Sequence, residues 1–118
     1  MENKLVVLPR TEDRVSRIAA ELRAAGVEVI ELRCDEAPWR LLGERIPDMI
    51  VFPSSGSVAA AAPYLVHLRE RSARPGVAAI GPASAAAART AGFEPDVIAA
   101  RPSIDALLLA VCEHLERA

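Results

Sequence analysis

The chain has 118 residues, enough for one hydrophobic core and too few for two, so a single domain over residues 1–118 is expected. It is 52% hydrophobic and 25% charged, the balance of a globular protein, and a net charge of −2 excludes the basic footprint of a nucleic-acid binder. No apolar run is long enough to span a bilayer; Glu2, Asn3 and Lys4 precede too short an apolar run for a secretory leader; and Cys34 and Cys112 have no second pair and no metal-ligand spacing, so a reduced, cytoplasmic protein with no metal, cofactor or membrane partner is expected.

Strand and helix signals then alternate along the chain. Lys4 to Pro9 (KLVVLP) is a continuous apolar run, as a strand buried on both faces requires. TEDRVSRIAAELRAAG follows as a helix: Val15, Ile18, Ala19 and Leu22 share one face, Thr11 suits the N-cap, Glu12 and Asp13 the first turn, and Gly26 the C′ position. Val27 to Arg33 is a second strand, and DEAPWRLLGERIP a short crossover with one or two helical turns from Pro38. Asp48 to Pro53 is a third strand. SSGSVAAAAPYLVHLRERS is helical, with Val58, Ala61, Ala62, Leu65 and Leu68 facing inward and Pro63 kinking or restarting it. Val77 to Gly81 is strand four, and Pro82 to Ala91 a helix with proline at its first position. Pro95 to Ala100 is strand five, and SIDALLLAVCEHLERA is a last helix capped by Ser103. No repeat or linker interrupts the order, and the alanine runs read as close helix–sheet packing. The alternation predicts an α/β fold: a three-layer, doubly wound, five-stranded parallel sheet in the flavodoxin-like order 2-1-3-4-5.

In such a sheet ligands bind along the edge formed by the carboxyl ends of the strands. The residues that follow the strands are Pro9, Arg10 and Thr11; Arg33, Cys34 and Asp35; Ser54, Ser55, Gly56 and Ser57; Gly81, Pro82 and Ser84; and Arg101, Pro102 and Ser103. Three arginines, several hydroxyls and the positive ends of helices suit carboxylates or phosphates, so the expected ligand is an anionic small molecule. Taken singly, each residue has a plainer role. A serine at a helix start is usually a cap, an arginine after a strand is often only solvated, and Gly-Pro is a common turn. It is the coincidence on five loops that points to a ligand. A GxGxxG, a P-loop, and the acidic pair and strand-three aspartate of a phosphoacceptor domain are all missing. No nucleophile–base pair is visible. His67 and His114 fall inside helices away from the edge, and Cys34 reads as a small buried residue more than a reactive thiol.

VFPSSGSV, followed by AAIGPASAAAARTAGFEPDVIAARPSIDALLLAV, resembles the C-terminal stretch of the uroporphyrinogen-III synthase family, and VVLPRTEDRVSRIAAELRAAGVEVIEL resembles its opening strand–helix–strand unit. The family has two similar α/β domains, the second inserted after that opening unit, and binds its tetrapyrrole precursor between them. This chain resembles one such domain without its partner, and Ala83-Ser84 stands where the family has a Thr-Thr pair. The resemblance implies a cyclising hydro-lyase. A linear hydroxymethylbilane with eight carboxylates loses water, forms a spiro intermediate and closes with one ring inverted, while the enzyme acts as a template. Carried over by position, Arg10 would pair with a carboxylate. Ser54, Ser55 and Ser57 would cap a helix and donate to another carboxylate. Ser84 would do likewise and assist the departing hydroxyl, as the catalytic residue, and Arg101 and Ser103 would line the far end. Thr11, Arg33, Gly56 and Gly81 complete the expected substrate edge. A homodimer would rebuild the cleft. The same fold recruited to another reaction in specialised metabolism, a non-catalytic ligand-binding or regulatory module, and one domain of a longer parent remain alternatives.

Overall fold

The computed structural model describes residues 3–10, 16–33 and 45–117. Within them the chain runs β1 (Leu5–Arg10), α1 (Ser16–Ala24), β2 (Glu28–Arg33), β3 (Met49–Phe52), α2 (Ser55–Ala60), α3 (Ala62–Glu70), β4 (Gly76–Ala79), α4 (Pro82–Thr90), β5 (Val97–Ile98) and α5 (Ile104–Arg117). The five strands form one sheet in the order β2-β1-β3-β4-β5, every neighbouring pair parallel. This is the predicted fold class and strand order. Residues 34–44 of the crossover and the helix start at Thr11 lie outside the described residues.

The continuous apolar runs follow from burial on two faces. Leu5 to Leu8 and Met49 to Phe52 are buried at every position, because alternate side chains enter opposite cores. On one face Val7, Ile50 and Phe52 pack with Val58 of α2, Tyr64, Leu65 and Leu68 of α3 and Ala88 of α4. On the other Val6, Leu8, Met49 and Val51 pack with Ile18 and Leu22 of α1 and Leu107, Val111 and Leu115 of α5. The i, i+4, i+8 spacing of the last three is the apolar stripe of an amphipathic helix. Alanine on α4 keeps its buried face small, with Ser84, Ala85 and Ala88 turned inward.

Three sequence expectations change in detail. Pro63 does restart the helix, since α2 ends at Ala60 and α3 begins at Ala62 with the proline in its first turn. The restart turns the inward face, so Ala62 is exposed rather than buried and Tyr64 takes a core position. The fifth strand is shorter than Pro95 to Ala100: only Val97–Ile98 stays in the ladder. It is an edge strand with one neighbour, and Pro95 has no N–H to give.

The third change is an internal repeat, where none was expected. Pro47-Asp48-Met49-Ile50 and Pro95-Asp96-Val97-Ile98 open strands β3 and β5 with the same device. Asp48 donates its backbone N–H to the Leu5 carbonyl at 2.8 Å, and its carboxylate accepts the Leu5 N–H at 2.7 Å. Asp96 does the same to Val77, with both bonds 2.8 Å. Each aspartate thus satisfies both backbone groups of one residue at the start of a neighbouring strand, where the ladder alone would leave an amide unpaired. These two clamps fix the amino edge of the sheet and leave the carboxyl edge to the loops.

Candidate functional site

The carboxyl edge is assembled by short turns. Ser54 caps α2 from an extended backbone: its Oγ accepts the Ser57 N–H at 3.1 Å, while Ser57 Oγ accepts the Ser54 N–H at 3.4 Å and donates to the Ser54 carbonyl. The α4 turn repeats half of this box. Ser84 Oγ accepts the Gly81 N–H at 3.2 Å and donates to the Gly81 carbonyl at 3.1 Å. Ser103 Oγ accepts the Ala106 N–H at 3.1 Å and starts α5. Ser54 and Ser103 are side-chain caps, while Ser57 and Ser84, each at the third position of its helix, bond back to the capping residue.

These turns are joined to one another. The Ile80 N–H donates to the Phe52 carbonyl at 3.2 Å, tying the end of β4 to the end of β3. A Cβ placed on Gly81 would lie 3.7 Å from Pro102 Cβ, so the loop after β5 rests beside the loop after β4. On the other side of the edge, Arg10 and Arg33 are partners in the β1–β2 register and end their strands together. The backbone therefore brings Arg10, Arg33, Ser54, Ser55, Gly56, Gly81, Arg101 and Ser103 to one edge. Thr11 and Cys34 lie outside the described residues.

What differs among these residues is where their polar groups go. Ser57 and Ser84 are buried, Ser84 with 1% of its surface exposed, and their hydroxyls are bonded to the turns they stand in. Ser55 and Gly56 are exposed, in the first turn of α2, where helical amides have no partner within the helix. Arg101 is exposed and forms no ion pair among the described residues. By contrast Arg17, Arg23, Arg45, Arg89 and Arg117 each meet a carboxylate.

The glycines add a second signal. Gly92 ends α4 with φ 93°, a left-handed conformation that a side chain would strain. Gly56 has no such φ, and a Cβ there would meet only Ser54 Oγ, at 3.8 Å. Gly81 is extended, with φ −170°, and among the described residues a Cβ there would meet only Pro102, at an ordinary contact distance. The fold itself asks for glycine at neither position, and both stand on the carboxyl edge.

Among the described residues, Cys112, Tyr64 and His114 stand elsewhere. Burial, and then nearby Glu116, raises the Cys112 thiol pKa, which disfavours a reactive thiolate on α5. The Tyr64 phenol is pushed up to about 12 by burial, and its hydroxyl has no hydrogen-bond partner among the described residues. His114 lies at the opposite, amino edge, where its Nε2 would be 3.1 Å from a Cβ on Gly76. Among the described residues no group of His, Cys, Asp and Glu could hold a metal ion, and no helix is long and apolar enough to cross a membrane.

The model of the family described as uroporphyrinogen-III synthase HemD matches residues 1–108. The chain belongs to that family. No curated protein matches it. The match spans all five strands and the start of α5. It thus contains every turn of the carboxyl edge, from Arg10 to Ser103. Uroporphyrinogen-III synthases are cyclising lyases that act on a small molecule, and the whole of this edge falls within the matched residues. Sequence reasoning found these turns because helix caps and strand ends are local signals. It missed the Asp48 and Asp96 clamps, although the repeated Pro-Asp-x-Ile was a legible signal for them. It also missed the contact between Gly81 and Pro102, which depends on strand order and leaves no local trace.

Proposed function

We propose that the carboxyl edge binds a polycarboxylate small molecule, and that the protein is a cytoplasmic cyclising hydro-lyase of the uroporphyrinogen-III synthase type. Its substrate is hydroxymethylbilane, and a second copy of the chain supplies the facing wall of the cleft. The observation that carries this reading is the convergence of three helix starts on one edge at which Gly56 and Gly81 serve no need of the fold. A glycine there lets a ligand carboxylate approach the backbone amides closely.

In this reading Arg10, Arg33 and Arg101 supply cationic forks for carboxylates. The Ser55 and Gly56 amides, with Thr11, the next residue in sequence after Arg10, orient one arm of the substrate. Ser54, Ser57 and Ser103 hold the helix starts that present those amides. Ser84 acts as a positioning residue: its two bonds to Gly81 fix the turn against which the reacting end lies. The departing hydroxyl leaves as water, the pyrrole electrons of the substrate form the new bond, and the protein contributes orientation and a fixed field.

Initial rates of inverted-ring product from hydroxymethylbilane test the assignment. Gly56→Val and Arg101→Ala are expected to lower the rate by about a hundred- to a thousandfold with unchanged melting, the range seen when one preorganised contact is lost. Ser84→Ala is expected to lower both rate and stability. Full activity in all three variants would contradict the site. One observation favours a second reading, a non-catalytic ligand-binding module: both buried hydroxyls at the edge are already committed to the backbone. That reading expects saturable binding of the bilane with no product.

A further inference from the structure

A groove of about 790 Å³ runs between β5 and the outer face of α5 and reaches the carboxyl edge at Arg101. Arg101 follows β5, and Asp105 stands in the first turn of α5. Both line the groove and both are exposed, the Asp105 side chain at 78%. Opposite charges that share one groove are ready to pair. Yet Arg101 forms no ion pair among the described residues, and Asp105 accepts instead from the Arg17 guanidinium, in the first turn of α1.

That pair differs from the others in reach and in place. Arg23, Arg45, Arg89 and Arg117 meet carboxylates 8, 17, 5 and 4 positions away in sequence. Arg17 meets one 88 positions away, so no turn or helical spacing brings the two together. Packing does: α1 and α5 cover the same face of the sheet, and both start at the carboxyl edge. An exposed pair of this kind adds little to stability. Its consequence for the edge is a matter of charge. An uncommitted Asp105 would either neutralise Arg101 or repel an arriving anion, and Arg17 prevents both.

We propose that Arg17 is a positioning residue for anion binding: by holding Asp105 it leaves the Arg101 guanidinium open to a carboxylate of the ligand. The proposal rests on the reading above that Arg101 meets such a carboxylate. Arg17 makes no contact with the ligand in this arrangement, because its guanidinium is occupied by Asp105. Its effect on binding therefore depends on the presence of the Asp105 charge, and a double-variant cycle isolates that dependence.

Two measurements test this, the first without any ligand. Phenylglyoxal modifies uncommitted guanidinium groups, and its reaction at Arg101 is followed by peptide mass spectrometry. Arg17→Gln is expected to slow that reaction about two- to fivefold at low salt, the scale of one exposed charge pair, and high salt is expected to erase the difference. Arg17→Lys keeps the charge and is expected to react as the wild type does, as is Arg17→Gln combined with Asp105→Asn. The second measurement is turnover of hydroxymethylbilane. Arg17→Gln is expected to raise KM by a similar factor with kcat unchanged, and adding Asp105→Asn is expected to restore it. Unchanged Arg101 reactivity in Arg17→Gln would overturn the proposal. So would a KM that stays high in the double variant, which would make Arg17 itself a ligand contact. If Arg101 reactivity shifts as expected while the wild type neither binds nor converts the bilane, the control of Arg101 by Arg17 and Asp105 stands and the polycarboxylate reading fails.

Discussion

The strand units opened by Pro47-Asp48 and Pro95-Asp96 share their chemistry and differ in their place in the sheet. Both begin with an aspartate that clamps a neighbouring strand through two bonds. Both are followed by a Pro-Ser pair whose serine caps the next helix, with a 3.1 Å bond in each case. Yet β3 keeps four ladder residues, all buried, and β5 keeps two, half-covered. Strand starts and helix caps are therefore local devices that a short motif can specify. Ladder length and burial are set by neighbours, which β3 has on both sides and β5 on one.

The sharpest way to break this comparison is to truncate the matching isoleucines. Ile50→Ala is expected to cost about 2–5 kcal/mol, as buried large-to-small changes do, and Ile98→Ala less than about 1 kcal/mol. Urea unfolding measures both, and equal costs would mean that the two units are equally covered. The clamps should behave in the opposite way. Asp48→Ala and Asp96→Ala each strand an amide of a central strand, Leu5 or Val77, so both are expected to lose about 1–3 kcal/mol, alike within experimental error. A large difference between them would show that the clamp is not one device used twice. The caps come next: Ser103→Ala is expected to cost about 1 kcal/mol, and Ser54→Ala somewhat more because its box is reciprocal.

The smallest expected effect is a gain, on the covered side of β3. Tyr64 packs there with 1% of its surface exposed and its hydroxyl unsatisfied among the described residues. Tyr64→Phe removes a desolvated group and is expected to hold or raise stability, by up to about 1 kcal/mol. The pH dependence has a definite sign. Burial raises the phenol from 10.0 to about 12 in the folded state, so its neutral form is favoured there. That contribution is intact below pH 10 and is lost as pH rises through the folded value. The alkaline fall in melting temperature over this window is expected to shrink in Tyr64→Phe. An unchanged fall would assign it to other groups.

The physical reason for the reach of the sequence reading is visible in particular residues. Fold class and strand order were legible because short, β-branched apolar runs such as LVVL and MIVF, bounded by prolines and turn residues, read as strands buried on two faces, and the segments between them carry caps and 3.6-residue periodicity. The candidate edge was legible as a set of loops for the same local reason. The direction of the Ser84 hydroxyl was not, because a capping serine and a ligand-facing serine have the same neighbours in sequence. The exposure of Ala62 was hidden as well, since it depends on how far the chain rotates at the Ala61 break. The uncovered Ile98 was invisible because its counterpart Ile50, in a nearly identical motif, is fully buried.

The most direct test of the central claim is the isomer composition of the macrocycle formed when the purified protein meets hydroxymethylbilane. The account predicts that product with one ring inverted appears in excess over a protein-free control, and that the excess falls in Gly56→Val. A composition identical to the control, with native folded protein present, would contradict it.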